Sequence, residues 1–400
     1  MEGAVTDSFG EPVEQAILQL LQKRIVDGRL HVTTRASAST GDLGQYRFSG
    51  LGPGEYYLMA SATPWHSTHA TAVPGQAYYY PQFYPKARTP DGASPIMLSA
   101  GQEAHADFQL EEGEGPAVEL ALVPPPPNGS TLRLLLMAPG IRGRQRLQQT
   151  AYVFGPQHVL FGNPPGDYEV TLMGNANGKL VRGSARFTVG NSNLNVTVPL
   201  TPSPTVSGRL DCPASPRPTL TLYDPDQLAR VPASLRPDGV FTTPPLTPGR
   251  YSVLQGSSNC YVHRLTVAGQ SLPGNLLTVG AEPITDLLVE TKSDAGSIHG
   301  ILRRGEIPQP GVNVYLAPSA PNESGSYRQY LTDSDGTFDF LRVPPGRYTV
   351  FLAPNAADLF EYANPETIAP YLKTATPIEV LPHQRIRLDL TWPGPSEVPR

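Results

Sequence analysis

The chain has 400 residues, more than a single hydrophobic core normally serves, so about three or four domains of roughly 100 residues each are expected. With 45 Pro, 38 Gly and 16% charged against 39% hydrophobic residues, the composition excludes a helical bundle and a disordered acidic chain, and fits short strands joined by many turns. A formal net charge of -5 gives no general attraction to nucleic acid or to an anionic bilayer, and no apolar run is long enough for a transmembrane segment, so neither partner is expected.

The N-terminus, Met1-Glu2-Gly3-Ala4-Val5-Thr6-Asp7, shows no basic stretch followed by an apolar one, so no signal peptide is read from it. It reads as though it begins inside a strand, which points to a misplaced start or a fragment of a longer chain. Glu14 to Lys23 has some helical character, but Val13 to Leu21 alternates well enough to be the second strand. Gly44-Gln45-Tyr46-Arg47-Phe48 then leads to Leu51-Gly52-Pro53-Gly54-Glu55-Tyr56-Tyr57-Leu58. An aromatic cluster follows: Trp65, then Tyr78, Tyr79, Tyr80, Phe83 and Tyr84. Glu111-Glu112-Gly113-Glu114-Gly115 is polar and turn-rich and marks a boundary.

Beyond it, Leu134 to Ala138 has strand length, and His158 to Phe161 with Pro164-Pro165-Gly166-Asp167-Tyr168-Glu169-Val170 is a weak echo of the first frame. Thr201-Pro202-Ser203-Pro204 marks a second boundary. Asp238-Gly239-Val240-Phe241 and Leu246-Thr247-Pro248-Gly249-Arg250-Tyr251-Ser252-Val253 form a third copy, enclosed by the chain's two cysteines, Cys212 and Cys260. These thiols are candidates for one disulfide within a domain, or are two small buried residues. Lys292 to Gly296 is the third boundary. The last copy runs Asp335-Gly336-Thr337-Phe338-Asp339-Phe340 to Val343-Pro344-Pro345-Gly346-Arg347-Tyr348-Thr349-Val350. Strands are also expected at Pro310 to Leu316, Thr376 to Val380 and Arg385 to Leu390.

In the three clear copies two glycines stand ten residues apart, at 44 and 54, 239 and 249, and 336 and 346. The second glycines, at 54, 166, 249 and 346, are spaced too widely for a solenoid and suit whole domains. Asp-Gly supplies a tight turn, Phe-Asp-Phe alternation puts aromatics on one face, Pro-Gly supplies the next turn, and Tyr-x-Val starts the return. Each copy is therefore expected to be a β-hairpin. The predicted fold class is all-β, a tandem array of four small antiparallel β-sandwich domains, prealbumin-like or immunoglobulin-like, at 1–111, 112–201, 202–291 and 292–392, with a tail at 393–400.

The frames Gly300-Ile301, Pro310 to Val314, Thr332 to Phe340 and Val343 to Tyr348, together with Val5 to Val13 and Gly54 to Tyr57, resemble the carboxypeptidase regulatory-like domain, a family related to Cna protein B-type and transthyretin-like sandwiches. The pattern Tyr79-Tyr80-Pro81-Gln82-Phe83-Tyr84-Pro85, with Pro95 to Leu98 and Ala100 to Glu103, looks like exported acidobacterial versions. The resemblance covers 1–110 and 292–392 well, and 112–291 only through the repeat frame. It implies a carbohydrate-binding-like fold, no catalysis by these domains, and a place in the periplasm, cell envelope or extracellular space. Some Cna B-type relatives form a Lys–Asn isopeptide bond; with Arg303-Arg304 where the lysine would stand, none is expected here.

No catalytic constellation is legible. No His is followed at three residues by Glu, so zinc-carboxypeptidase ligands are missing, and the close pair His66 and His69 reads as chance loop histidines. Asp333-Ser334-Asp335-Gly336 has a calcium-loop look, but Leu341 and Pro344 stand where later oxygen ligands would fall, so turn chemistry is the better reading. No cofactor and no metal are expected. The aromatic cluster Trp65, Tyr78, Tyr79, Tyr80, Phe83 and Tyr84 is either a ligand or partner surface, stacking on sugars or docking a protein, or a loop packed over its own sheet edge, the reading preferred here. Tyr362 and Tyr371, in the insertion Glu361 to Thr374, suggest that such a loop recurs. The expected function is that of a non-enzymatic structural or interaction protein of the bacterial envelope or exterior. The alternatives are a carbohydrate-binding protein using loop aromatics, which requires Trp65 and Tyr79 exposed on one flat face, or the accessory region of a truncated exported peptidase or outer-membrane transporter.

Overall fold

The computed structural model describes residues 1–400 except 63–76, 89–91, 115, 141–142, 154–156, 161–164, 177, 213–218, 226–227, 257–259, 273, 320–326, 354–358 and 393–400. It forms two compact units, one of Met1–Arg24 with His31–Pro202, the other of Ile25–Leu30 with Ser203–Arg400. Both are built from β-sheets, and the all-β expectation holds.

Within residues 1–110, a sheet of Gln45–Arg47, Glu2–Thr6 and Phe108–Gln109 and a second of Arg29–Ser39, Ile17–Val26, Gly54–Ser61 and Gln82–Phe83 enclose one core, with Leu18, Leu20, Tyr56, Leu58 and Phe108 at its centre. The segment with mixed helical character is the strand Ile17–Val26. Its alternation decides this: Leu18 and Leu20 enter that core, while Leu21 points the other way, to Tyr57, Met59 and Phe83. Residues 118–202 form one seven-stranded sheet around a separate cluster that includes Leu120, Leu134, Val170 and Val198. It folds back on itself because Leu194–Pro202 pairs in parallel with Val118–Val123 through its first residues and antiparallel with Lys179–Val189 through its last.

In the second unit, residues 206–292 make a six-stranded and a four-stranded sheet with Leu210, Leu222, Phe241, Tyr251 and Leu287 between them. Residues 296–391 make two four-stranded sheets around Ile298, Val314, Phe338, Phe340 and Val350. Among the described residues, one element departs from the all-β pattern. Pro365–Leu372 is an α-helix, started by the Asn364 side chain, which accepts the Glu366 N–H at 3.1 Å, and by Pro365 in the first turn, where its missing N–H costs nothing. The helix buries Ile368 and Tyr371 beside Tyr315, Phe351 and Phe360, in a second apolar cluster.

The repeat does something other than make hairpins. Gln45–Arg47 pairs with Glu2–Thr6, whereas Gly54–Ser61 pairs with Ile17–Val26 in the opposite sheet. Val240–Thr242 and Gly249–Gln255 part in the same way, as do Thr337–Val343 and Gly346–Leu352. Each clear copy is thus an arch that carries the chain from one sheet to the other. The proline-rich corner explains this, since proline lacks the N–H that a continuing ladder would need. In place of that ladder, the tyrosine after the corner donates its hydroxyl to the carbonyl four residues back: Tyr56 to Gly52 at 2.9 Å, Tyr251 to Thr247 at 2.7 Å, Tyr348 to Pro344 at 2.8 Å. Tyr348→Phe keeps the buried ring and removes this bond, so urea unfolding should show a loss of about 1 kcal/mol. An unchanged midpoint would assign the corner to the prolines alone.

The first glycine of each copy lies in the left-handed region, with φ of +68° at Gly44, +83° at Gly239 and +76° at Gly336. A Cβ there would sit 2.5 Å from the Val5 carbonyl oxygen, 2.6 Å from that of Leu210 and 2.7 Å from that of Leu302. These glycine carbonyls accept the Val5, Leu210 and Leu302 N–H groups. Two residues on, Tyr46, Phe241 and Phe338 stand directly across from a glycine of the segment's first strand, Gly3, Gly208 and Gly300 respectively. Near the opposite turn, the Thr40 hydroxyl accepts the Ala16 N–H at 2.8 Å and donates to the Val13 carbonyl at 2.6 Å. Thr332 repeats this with Val312 and Gln309, at 2.9 and 2.7 Å.

The same glycines let the last strand of each segment approach. A Cβ on Gly3 would lie 2.0 Å from the Ala106 oxygen, on Gly208 1.9 Å from Leu287, and on Gly300 2.5 Å from Leu388. In all four stretches the first strand pairs with the last in parallel: Glu2–Thr6 with Phe108–Gln109, Val118–Val123 with Leu194–Pro202, Val206–Asp211 with Ile284–Lys292, and Gly296–Arg304 with Arg385–Thr391.

Candidate functional surface

The aromatic cluster is built on two short strands, Ala77–Tyr79 and Gln82–Phe83. Ala77–Tyr79 pairs with Glu112–Glu114, and Gln82–Phe83 adds to the edge of Gly54–Ser61. The two strands join different sheets on either side of Pro81, so their rings go different ways. Tyr79 is buried in the main core of residues 1–110. Phe83 is buried on the outer face of the sheet that holds Gly54–Ser61, with Leu21, Tyr57 and Met59. Tyr84 is half-buried and meets Phe108 edge-on, with ring centroids 6.1 Å apart. Burial, with help from Glu112 and Asp7, pushes the Tyr79 hydroxyl up to about 12, so this ring is uncharged throughout the physiological range.

Tyr80 is different. It is half-buried under the Arg88 guanidinium, 4.0 Å above its ring, and Arg88 is ion-paired with Glu111. Tyr80, Pro81, Gln82, Lys86, Arg88, Gln109 and Glu111 line a shallow recess. The side chain of Tyr78 and the whole of Trp65 lie outside the described residues, as do His66 and His69. The rings are therefore divided between two cores and a polar recess. The condition set by sugar stacking, Trp65 and Tyr79 exposed together, is not met at Tyr79, which is 7% exposed. A polysaccharide partner has no support in this arrangement.

Among the described residues no group of three or more His, Cys, Asp or Glu side chains is placed to hold a metal ion. Asp335 accepts the Thr337 N–H and hydroxyl at 3.0 and 2.6 Å, and these bonds hold its carboxyl below the usual carboxylate range, the signature of a turn. Among the described residues no helix is long and apolar enough to cross a membrane. Cys212 and Cys260 are half-buried, unbridged, and have their sulfurs 3.2 Å apart.

The sequence of residues 1–111 matches the family model described as carboxypeptidase regulatory-like domain. The curated proteins include no significant match to the chain. Among solved structures, the chain is similar to the TIE protein of Bacillus anthracis, at 12% identity over 94% of this chain and 68% of that one, with a TM-score of 0.19. It is similar also to BcpA, the major pilin subunit of Bacillus cereus, at 12% identity over 98% of each chain and a TM-score of 0.19. The full-length major pilin RrgB of Streptococcus pneumoniae matches at 8% identity over 98% of this chain and 99% of that one, with a TM-score of 0.16. At such TM-scores the whole chains do not superpose.

The features that recur with the carboxypeptidase regulatory-like frame are structural: the left-handed glycine, the glycine–aromatic pair and the tyrosine corner. The first-strand glycines were the signal available in the sequence for the parallel pairing, since Gly3-Ala4-Val5, Gly208-Arg209-Leu210 and Gly300-Ile301-Leu302 share one spacing.

Proposed function

We propose that the chain is a non-enzymatic, load-bearing array of four β-modules, 1–111, 112–201, 202–291 and 292–392, that serves outside the cytoplasm as a spacer and protein-docking element. The parallel pairing of first and last strands in all four stretches carries this reading. Two parallel partners run the same way, so the entering chain and the leaving chain emerge at opposite ends of the pair. Tension between them shears all the ladder bonds together instead of opening them one at a time, which is the strong way to load a strand pair. The family resemblance of the first module supports an exported setting and the absence of catalysis.

Stretching the full chain between terminal handles in a single-molecule instrument tests this. Four discrete unfolding events are expected, each releasing roughly 30–35 nm of contour, as about 90–110 residues extend. Two events, matching the two compact units, would reject the four-module array. Extension without discrete events would reject load bearing altogether.

A further inference from the structure

We infer that Cys212 and Cys260 form a redox-set staple in the third module, a bond that limits how far this part of the chain can extend. Cys212 follows the end of Val206–Asp211, and Cys260 immediately precedes Tyr261–Val267. Those two strands flank Ile284–Lys292 on its two sides in the six-stranded sheet, so the cysteines bracket the strand that leaves the module. Their sulfurs are 3.2 Å apart, about 1.2 Å beyond the roughly 2.04 Å of a disulfide. The chain contains no other cysteine. The Gln255 side-chain N–H points at the Cys212 sulfur from 3.7 Å, a donor available to a thiolate there.

The oxidant is a small-molecule disulfide such as oxidised glutathione. The Cys212 thiolate attacks one glutathione sulfur, forming a mixed disulfide and expelling one glutathione thiolate. The Cys260 thiolate then attacks the Cys212 sulfur, the intrachain bond forms, and the second glutathione thiolate leaves. Two electrons pass from the cysteine pair to glutathione, and the two cysteine protons end on the two glutathione thiols. Such a bond persists in oxidising compartments, where the proposed function places the chain.

The test uses the full chain, incubated natively with oxidised glutathione, then alkylated and digested. A peptide joining Cys212 to Cys260, two hydrogen atoms lighter than the reduced pair and released by a phosphine reductant, is expected. Cys260→Ser should instead hold glutathione on Cys212. Stable glutathione adducts on both cysteines of the unaltered chain, or a covalent dimer, would overturn the staple. The mechanical consequence rests on the load-bearing reading: the oxidised chain should show one event shortened by about 17 nm, since 48 positions between the cysteines no longer extend. Four events of unchanged length in a chain shown to be cross-linked would reject the limit on extension while leaving the array intact. Fewer than four events would reject the array, and peptide mapping would still decide the bond.

Discussion

Gly208→Val should unfold the 206–292 segment locally while leaving residues 1–110 protected. Gly208 sits in the first strand of its segment, in register with Phe241 on one side and Leu287 on the other. A Cβ there would lie 1.9 Å from the Leu287 carbonyl oxygen, 2.7 Å from its carbon and 2.8 Å from its nitrogen. All three are backbone atoms of a strand that is itself paired on both sides, so no side-chain rotation relieves the overlap. The strand must separate from its parallel partner, which loses ladder bonds and opens the core at Leu287 and Val289, both fully buried. The expected cost is at least about 3 kcal/mol, the upper range of overpacking. Amide hydrogen exchange followed by mass spectrometry reads it: peptides from Leu220–Asp224 and Gly249–Gln255 should exchange about 100-fold faster or more. Gly280→Ala is the control, because a Cβ there meets nothing within 4 Å. Equal exchange in the two variants would show that the strand pair tolerates a side chain, and the close approach would lose its structural meaning.

How much of this was legible in the sequence follows from which contacts are local. The turn chemistry was legible because it is local: a glycine, preceded by Asp in two of the three clear copies, fixes the left-handed corner, and Pro-Gly-x-Tyr fixes the next one within five residues. The core positions Tyr56, Phe241, Tyr251, Phe338 and Tyr348 were marked by the same frame, and all are buried. What local reading does not supply is the partner of each strand. Gln45–Arg47 and Gly54–Ser61 look like the arms of a hairpin because they are close in sequence, yet each has a better partner in a different sheet. The parallel pair at the ends of each segment joins residues such as Val5 and Phe108, and the shared first-strand glycine spacing marks one side of it without naming the partner.

The aromatic cluster shows a related limit. A run of rings is the same string whether it faces solvent or a core, and here Tyr79 and Phe83 stand on strands of two different sheets joined across Pro81 and enter different apolar clusters. The short helix was signalled by Asn364-Pro365-Glu366, a good N-terminal cap, but an eight-residue helix inside a chain of strands carries little periodicity to detect. The nearness of Cys212 and Cys260 depends on two strands flanking a third, a long-range arrangement that composition and spacing leave open.

The Gly300 and Phe338 pair should behave as a single unit when varied together. Phe338 is fully buried and faces Gly300 directly across the strand pair, with its ring covering the glycine. A Cβ on Gly300 would meet Phe338 Cζ at 2.1 Å and Cε1 at 2.5 Å, and the Leu388 carbonyl oxygen at 2.5 Å. Phe338→Ala alone leaves a cavity and should cost about 3–5 kcal/mol. Gly300→Ala alone pushes the ring and the Leu388 backbone away, for about 2–3 kcal/mol. In the double variant the ring is gone, so the new methyl group enters the space it leaves and only the Leu388 contact persists. The combined cost should therefore fall short of the two single costs added together by about 1–2 kcal/mol, read by denaturant unfolding of all four proteins. Additivity within about 0.5 kcal/mol would mean that the Leu388 carbonyl alone excludes a side chain at Gly300. The recurring glycine–aromatic pairing would then be a by-product of the parallel strands, with no part in setting their spacing. A shortfall ties the aromatic of the repeat to the glycine of the first strand, and so ties the arch to the strand pair on which the load-bearing reading depends.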